Sequence, residues 1–135
     1  MAVPSGARKE TTLNALIEAR KLVRYSLTIL ASNKNFKARL SGDEQDDRIN
    51  PPQPELVRMM KQCVIDIYIS AYAANETPFT KNNYLHRRRL QDKSVSKCNE
   101  LLALIEMCVP IFHIPAKRFG YWGEMIVCTR GLIQA

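Results

Sequence analysis

Proline placement constrains this chain more than any other feature. The seven prolines are Pro4, Pro51, Pro52, Pro54, Pro78, Pro110 and Pro115. A proline in a helix interior costs about 3 kcal/mol, because it lacks an N–H and clashes with the preceding turn. Between the prolines lie four stretches, each with apolar residues at helical period. The sequence therefore predicts four helices, over about residues 12–32, 54–75, 81–109 and 115–135. Nothing reads as a strand, and 135 residues suit one domain. The connections after the second and third helices are short, which favours antiparallel neighbours. The expected fold is all-α, an antiparallel four-helix bundle.

The first helix takes Thr11 or Thr12 as its N-cap, and its apolar line is Leu13, Leu16, Val23, Leu27 and Leu30. The third carries Val95, Cys98, Leu101, Leu102, Ile105 and Val109, with Leu90, Leu104 and Cys108 widening the line. Phe119, Trp122, Met125, Ile126, Thr129 and Ile133 form the inner line of the fourth. That pattern reaches Ala135 without a capping signal, so more helix is expected beyond it. Residues 33–53 read as a long loop with an acidic cluster, Asp43, Glu44, Asp46 and Asp47. The cluster lacks the ligand period and the glycine of a calcium loop, so no metal site is expected there.

The second helix differs from the others. From Cys63 to Ala74 only Asp66 and Ser70 are clearly polar, so it is apolar nearly all round. Such a helix needs cover on several sides. One small bundle supplies too little, which points to a homo-oligomer. The candidate interface residues are Ile65, Ile67, Tyr68, Ile69 and Tyr72, with Leu104 from the third helix.

Charge points to an anionic partner. The chain has 20 Lys+Arg against 13 Asp+Glu, a net +7. The long loop holds more acids than bases, so the excess lies in the helical body. Arg87, Arg88 and Arg89, extended by Lys81, Lys93 and Lys97, form a ridge able to lie along phosphates. Arg20, Lys21 and Arg24 make a second basic cluster, with Arg8 and Lys9 ahead of it. Lys117 and Arg118 make a third, beside Phe119, Tyr121 and Trp122. Phe119 and Trp122 fall on the core line, which leaves Tyr121 to stack on an unpaired base. For any one of these cations a merely solvated face is the simpler reading.

Three charges fall on core faces: Arg20, Asp66 and Arg87. Unpaired buried charge is too costly to keep. Either Asp66 pairs with Arg20 or Arg87, within or across subunits, or each charge reaches water at a bundle end or groove. Gly120, Gly123, Val127 and Gly131 share one sector of the fourth helix. That sector either permits close helix approach or marks a weak helix held by packing.

Other classes of function find no support. The longest uncharged run, Met107 to Ala116, is too short and too proline-rich to span a bilayer, so no membrane association is expected. The first residues show no apolar leader core. The cysteines (Cys63, Cys98, Cys108 and Cys128) form no CxxC and sit in apolar helical patterns. They read as reduced core thiols of a cytoplasmic protein. No phosphate loop, HExxH or nucleophile–base setting occurs, so no enzyme and no cofactor is expected.

Several segments carry a resemblance. Ala19-Arg20-Lys21-Leu22, then Ser32-Asn33 and Phe36, resemble one family's first helix and its exit. Asp66-Ile67-Tyr68 and Ala74-Asn75 resemble its second helix. Leu90-Gln91, Lys93, Cys98-Asn99-Glu100-Leu101-Leu102 and Ile105-Glu106 resemble its third, and Tyr121-Trp122 the opening of its fourth. The family is that of the accessory variability determinants (Avd) of diversity-generating retroelements, which shares its fold with proteins encoded in 23S rRNA intervening sequences. The resemblance covers about residues 13–135. It implies a pentameric, barrel-like ring with a basic surface. It also implies binding to a reverse transcriptase and to template RNA, in support of mutagenic cDNA synthesis. The alternative within the resemblance is an intervening-sequence type oligomer without a polymerase partner, binding nucleic acid or purely structural.

Overall fold

The computed structural model describes residues 5–31, 54–108 and 116–134, with side chains from residues 14 and 117 onward in the first and last of these segments. Four helices occupy them: α1 (Ser5–Leu30), α2 (Pro54–Glu76), α3 (Tyr84–Cys108) and α4 (Ala116–Gln134). No strand occurs among the described residues. The loop over 33–53 with its acidic cluster, the Leu13, Arg8 and Lys9 side chains, Val109 and the turn over 110–115 lie outside the described residues.

The four helices pack as a closed bundle. α2 lies against α1 and α3, and α4 against the same two, so α1 and α3 sit diagonally opposite. Direction follows from the cross-helix pairs. Along α2 and α3, Cys63 meets Lys97, Ile67 meets Ser94 and Ala74 meets Arg87, so the two helices run antiparallel. Ser26, late in α1, meets Trp122, early in α4, so these run antiparallel as well.

Local chemistry sets the helix ends. Pro54 opens α2, where its missing N–H costs nothing, and Glu55 in the first turn suits the helix dipole. At the other end Thr77 bonds back through both its N–H and its hydroxyl to Ala73 O (3.1 and 2.8 Å), and Pro78 prevents continuation. Asn83 caps α3: its carbonyl accepts the first helical bond from Arg87 N–H at 2.9 Å. α1 begins at Ser5 rather than Thr12. No proline lies between Pro4 and the apolar pattern, so the helix extends back to it.

The centre of the bundle holds Leu22, Met60, Val64, Ile67, Leu101, Trp122 and Ile126, all fully buried. In α1 the inner line is rotated from the expected one. Ala15, Ala19, Leu22, Ser26 and Ile29 are buried beside Leu16 and Leu30, whereas Val23 and Leu27 are half-buried at the edge. The inner line thus mixes small residues, Ala15, Ala19 and Ser26, with the larger Leu22 and Ile29. Trp122 is the largest fully buried side chain described, and its Nε1–H donates to Ser26 Oγ at 2.7 Å. Ser94 Oγ donates to Ile67 O at 2.8 Å, and Thr129 Oγ1 to Met125 O at 2.9 Å. Among the described residues no buried side-chain polar atom lacks a partner, as a well-packed interior requires.

Two expectations need correction here. Ile67 is fully buried inside the bundle and cannot line an oligomer interface. Cys128 is exposed on α4 and is no core thiol, unlike Cys63, Cys98 and Cys108. The glycine sector of α4 also serves no close helix approach among the described residues: a Cβ at Gly120, Gly123 or Gly131 would meet none of them within 4 Å.

Burial pushes the thiols of Cys63 and Cys98 up to about 12 and that of Cys108 to about 11. Their folded-state values lie above the ordinary 9.0, so their contribution is complete below pH 9.0 and is lost as pH rises toward about 12. Near neutral pH an aromatic disulfide reagent should therefore titrate Cys128 quickly and the other three only on unfolding. Several fast thiols in the native protein would contradict this burial. Ser26→Ala should cost about 1–3 kcal/mol in urea unfolding, because it strands the indole N–H in the core. A loss under about 0.5 kcal/mol, the range of an ordinary surface change, would show the bond to be dispensable.

Candidate nucleic-acid interface

Pairing α1 with α4 brings together two basic clusters that are distant in sequence. Tyr25 and Tyr121 meet edge to face with ring centroids 4.9 Å apart. Lys21 lies one turn before Tyr25 on the same side of α1, whereas Arg24 directly precedes Tyr25 and points about 100° away from it. Lys117 and Arg118 lie one turn before Tyr121. All four cations are exposed. Burial raises the Tyr25 phenol above its ordinary value; the Arg118 charge opposes this, which places that guanidinium at the seam. Lys21 Nζ is 3.2 Å from Glu18 Oε1, an exposed pair worth little in stability and easily exchanged for a phosphate. In the α1 and α4 segments with described side chains, six basic residues face two acids, Glu18 and Glu124.

Tyr121 is 54% exposed, as its position off the core line requires. Tyr25 was not singled out in the sequence. Its adjacency to Arg24 and its i+4 spacing from Lys21 were the available signals. Arg20 stands apart from the seam: it is exposed on the α2 side, with Nη2 3.5 Å from Tyr68 Oη.

The α3 ridge is shorter than its sequence suggests. Arg87 is only 8% exposed and belongs to the fold, not to a nucleic-acid surface. Its Nη1 donates to Ala74 O at 2.7 Å and to Thr77 O at 3.1 Å, and its guanidinium lies 5.3 Å from the Phe79 ring centre. A cation here satisfies carbonyls at the negative end of the α2 dipole. Lys97 is half-buried, 3.0 Å from Glu100 and 4.0 Å from Asp66; its hydrogen bond to Glu100 raises its pKa despite some desolvation. The exposed ridge is thus Arg88, Arg89 and Lys93, with Arg88 Nε 3.4 Å from Asp92. It lies on the helix diagonal to α1, so it does not merge with the α1–α4 seam.

Of the two arrangements open to Asp66, a pair with Arg20 or Arg87 does not form among the described residues. Asp66 accepts from Gln62 Nε2 at 3.0 Å and faces Lys97, because antiparallel packing turns it toward α3. On α2 the residues opposite the core, Ile65, Ile69 and Tyr72, are exposed, whereas Tyr68 and Leu104 pack against the core. Tyr68 and Tyr72 lie 6.1 Å apart between ring centres. Among the described residues no three His, Cys, Asp or Glu side chains gather as a metal site needs, and no helix is long and apolar enough to cross a membrane. No protein-family model, curated protein or solved structure matches the chain.

Replacing Arg87 with Met keeps the packing volume but strands two carbonyls. Arg87→Met should cost about 1.5–3 kcal/mol in unfolding free energy and speed amide exchange at the end of α2. An unchanged unfolding free energy and exchange rate would show that the α2 carbonyls do not need the guanidinium.

Proposed function

We propose that this chain is a non-catalytic accessory protein of a diversity-generating retroelement, binding the element's reverse transcriptase and template RNA. The observation that carries the RNA part is the α1–α4 seam, where the Tyr25–Tyr121 pair lies on a surface that also exposes Lys21, Lys117 and Arg118, with Arg24 on the adjoining solvent face of α1. Clustered cations with little opposing acid attract a phosphate backbone through counterion release. An exposed tyrosine beside them adds contact with an unpaired base. Most of the energy comes from phosphates, so the surface tolerates many sequences.

The polymerase part rests on the likeness of residues 13–135 to the accessory variability determinants. The proposed assembly is the ring that this likeness implies. Its supporting feature is the exposed strip of Ile65, Ile69 and Tyr72 on α2, which a neighbouring subunit would cover. The bundle supplies no catalytic step in this reading. It holds template and enzyme together, and raises the local concentration of one for the other.

RNA affinity measured against salt tests the surface. A double substitution, Arg24→Ala with Lys117→Ala, should weaken binding and reduce the slope of log K against log salt by about 0.7 for each lost phosphate contact. A flat salt response for the native protein would defeat the RNA reading. Light scattering should give a mass five times that of the 15.4 kDa chain, and Ile69→Glu should break it down. A tagged pull-down from the host should recover a reverse transcriptase. An abundant oligomeric bait without one would favour the intervening-sequence type.

A further inference from the structure

The α2–α3 hairpin forms one end of the bundle and has an unusual surface. From Thr77 to Gln91 there is no acidic residue, while Lys81, Arg87, Arg88 and Arg89 are basic. Phe79 is 42% exposed, Tyr84 51% and Leu85 64%. Large apolar groups at a tip normally cost solubility, and Tyr84 and Leu85 are both more than half exposed.

The tip is rigid. Thr80 N–H donates to Pro78 O at 2.9 Å, Asn83 N–H to Thr80 O at 3.1 Å, and Asn83 Nδ2 to Thr80 Oγ1 at 3.0 Å. Pro78 fixes the backbone entering Phe79. Below the ring lies the Arg87 guanidinium, itself locked onto Ala74 O and Thr77 O. Phe79 is therefore a preorganised platform, so a group stacking on its exposed part incurs little ordering cost. Lys81, Arg88 and Arg89 are exposed around the tip, and Lys93 continues the line one turn up α3 from Arg89.

We propose that this hairpin end is a second RNA contact, specific for unpaired nucleotides, in which bases stack on Phe79 and Tyr84 while Lys81 and Arg88 hold the adjoining phosphates and Arg89 and Lys93, on the other side of α3, hold phosphates further along the strand. This inference rests on the RNA-binding reading above and adds a site to it. Charge complementarity selects a polyanion. The fixed aromatic ring selects one whose base faces are open, which a duplex cannot offer. Leu85 supplies apolar contact for the sugar and base edges beside the rings. The α3 ridge, which the α1–α4 seam leaves apart, gains a role as the path away from the rings.

The test compares an unpaired RNA oligonucleotide with a duplex of equal length, each fluorescently labelled, by anisotropy at fixed salt. The variants are Phe79→Leu, which keeps Arg87 covered, and Tyr84→Ala, separately and combined, with native circular dichroism and mass required of each. The combined variant should lose at least about fivefold in affinity for the unpaired strand, with no change for the duplex. Ultraviolet crosslinking of the native protein to thiouridine-bearing RNA should attach RNA to the peptide holding Phe79 or Tyr84. Equal affinities of native and variant protein for the unpaired strand, or equal losses on both RNAs, would overturn the inference and leave the seam intact. So would loss of a protein partner with RNA binding unchanged. Failure of the native protein to bind either RNA would instead sink the RNA-binding reading itself.

Discussion

Trp122 closes the bundle. It is the largest side chain fully removed from water among the described residues, and its one polar atom needs an acceptor at that depth. Ser26 supplies it at 2.7 Å, and the bond ties the last helix to the first. With that contact fixed, α4 can adopt only one rotation and one height against α1. The Tyr25–Tyr121 pair and the cations beside it then follow. The proposed RNA surface would thus be a by-product of core packing, since the residue next to the indole carries the exposed ring.

A second constraint acts at the opposite end. Carbonyls at the end of α2 must find donors, and the Arg87 guanidinium reaches back across the hairpin to provide them. The chain therefore divides its basic residues between two tasks. Arg87 and Lys97 serve the fold, each beside acceptors that offset desolvation. Lys21, Arg24, Lys117, Arg118, Arg88, Arg89 and Lys93 remain exposed on the surface. Composition counts all of these alike, whereas burial separates them.

Much of the fold was legible in the sequence. Pro54, Pro78 and the prolines before α4 mark helix boundaries because proline cannot sit in a helix interior, and α2 and α4 begin within a residue or two of the expected positions. The core of α1 was less legible. Large aliphatic residues attract attention, yet Ala19 and Ser26 are as fully buried as Leu22, with Ser26 placed there to accept the Trp122 indole N–H. Ile67 shows the same limit: an all-round apolar helix does not announce which side faces its own bundle. The site was legible as three basic clusters, without the packing order that joins the first to the third and sets the second apart. Arg87 illustrates why. Three consecutive arginines read as one charge patch, but helical geometry points them in three directions, and only one meets the end of α2.

The central claim is that the α1–α4 seam faces RNA, and lysine footprinting tests it most directly. The protein would be labelled with an amine-reactive reagent with and without saturating RNA, then mapped by mass spectrometry. Protection of Lys21 and Lys117, with Lys61 on α2 labelled equally in both samples, is the result this account predicts. Equal labelling of Lys21 and Lys117 with and without RNA would contradict it.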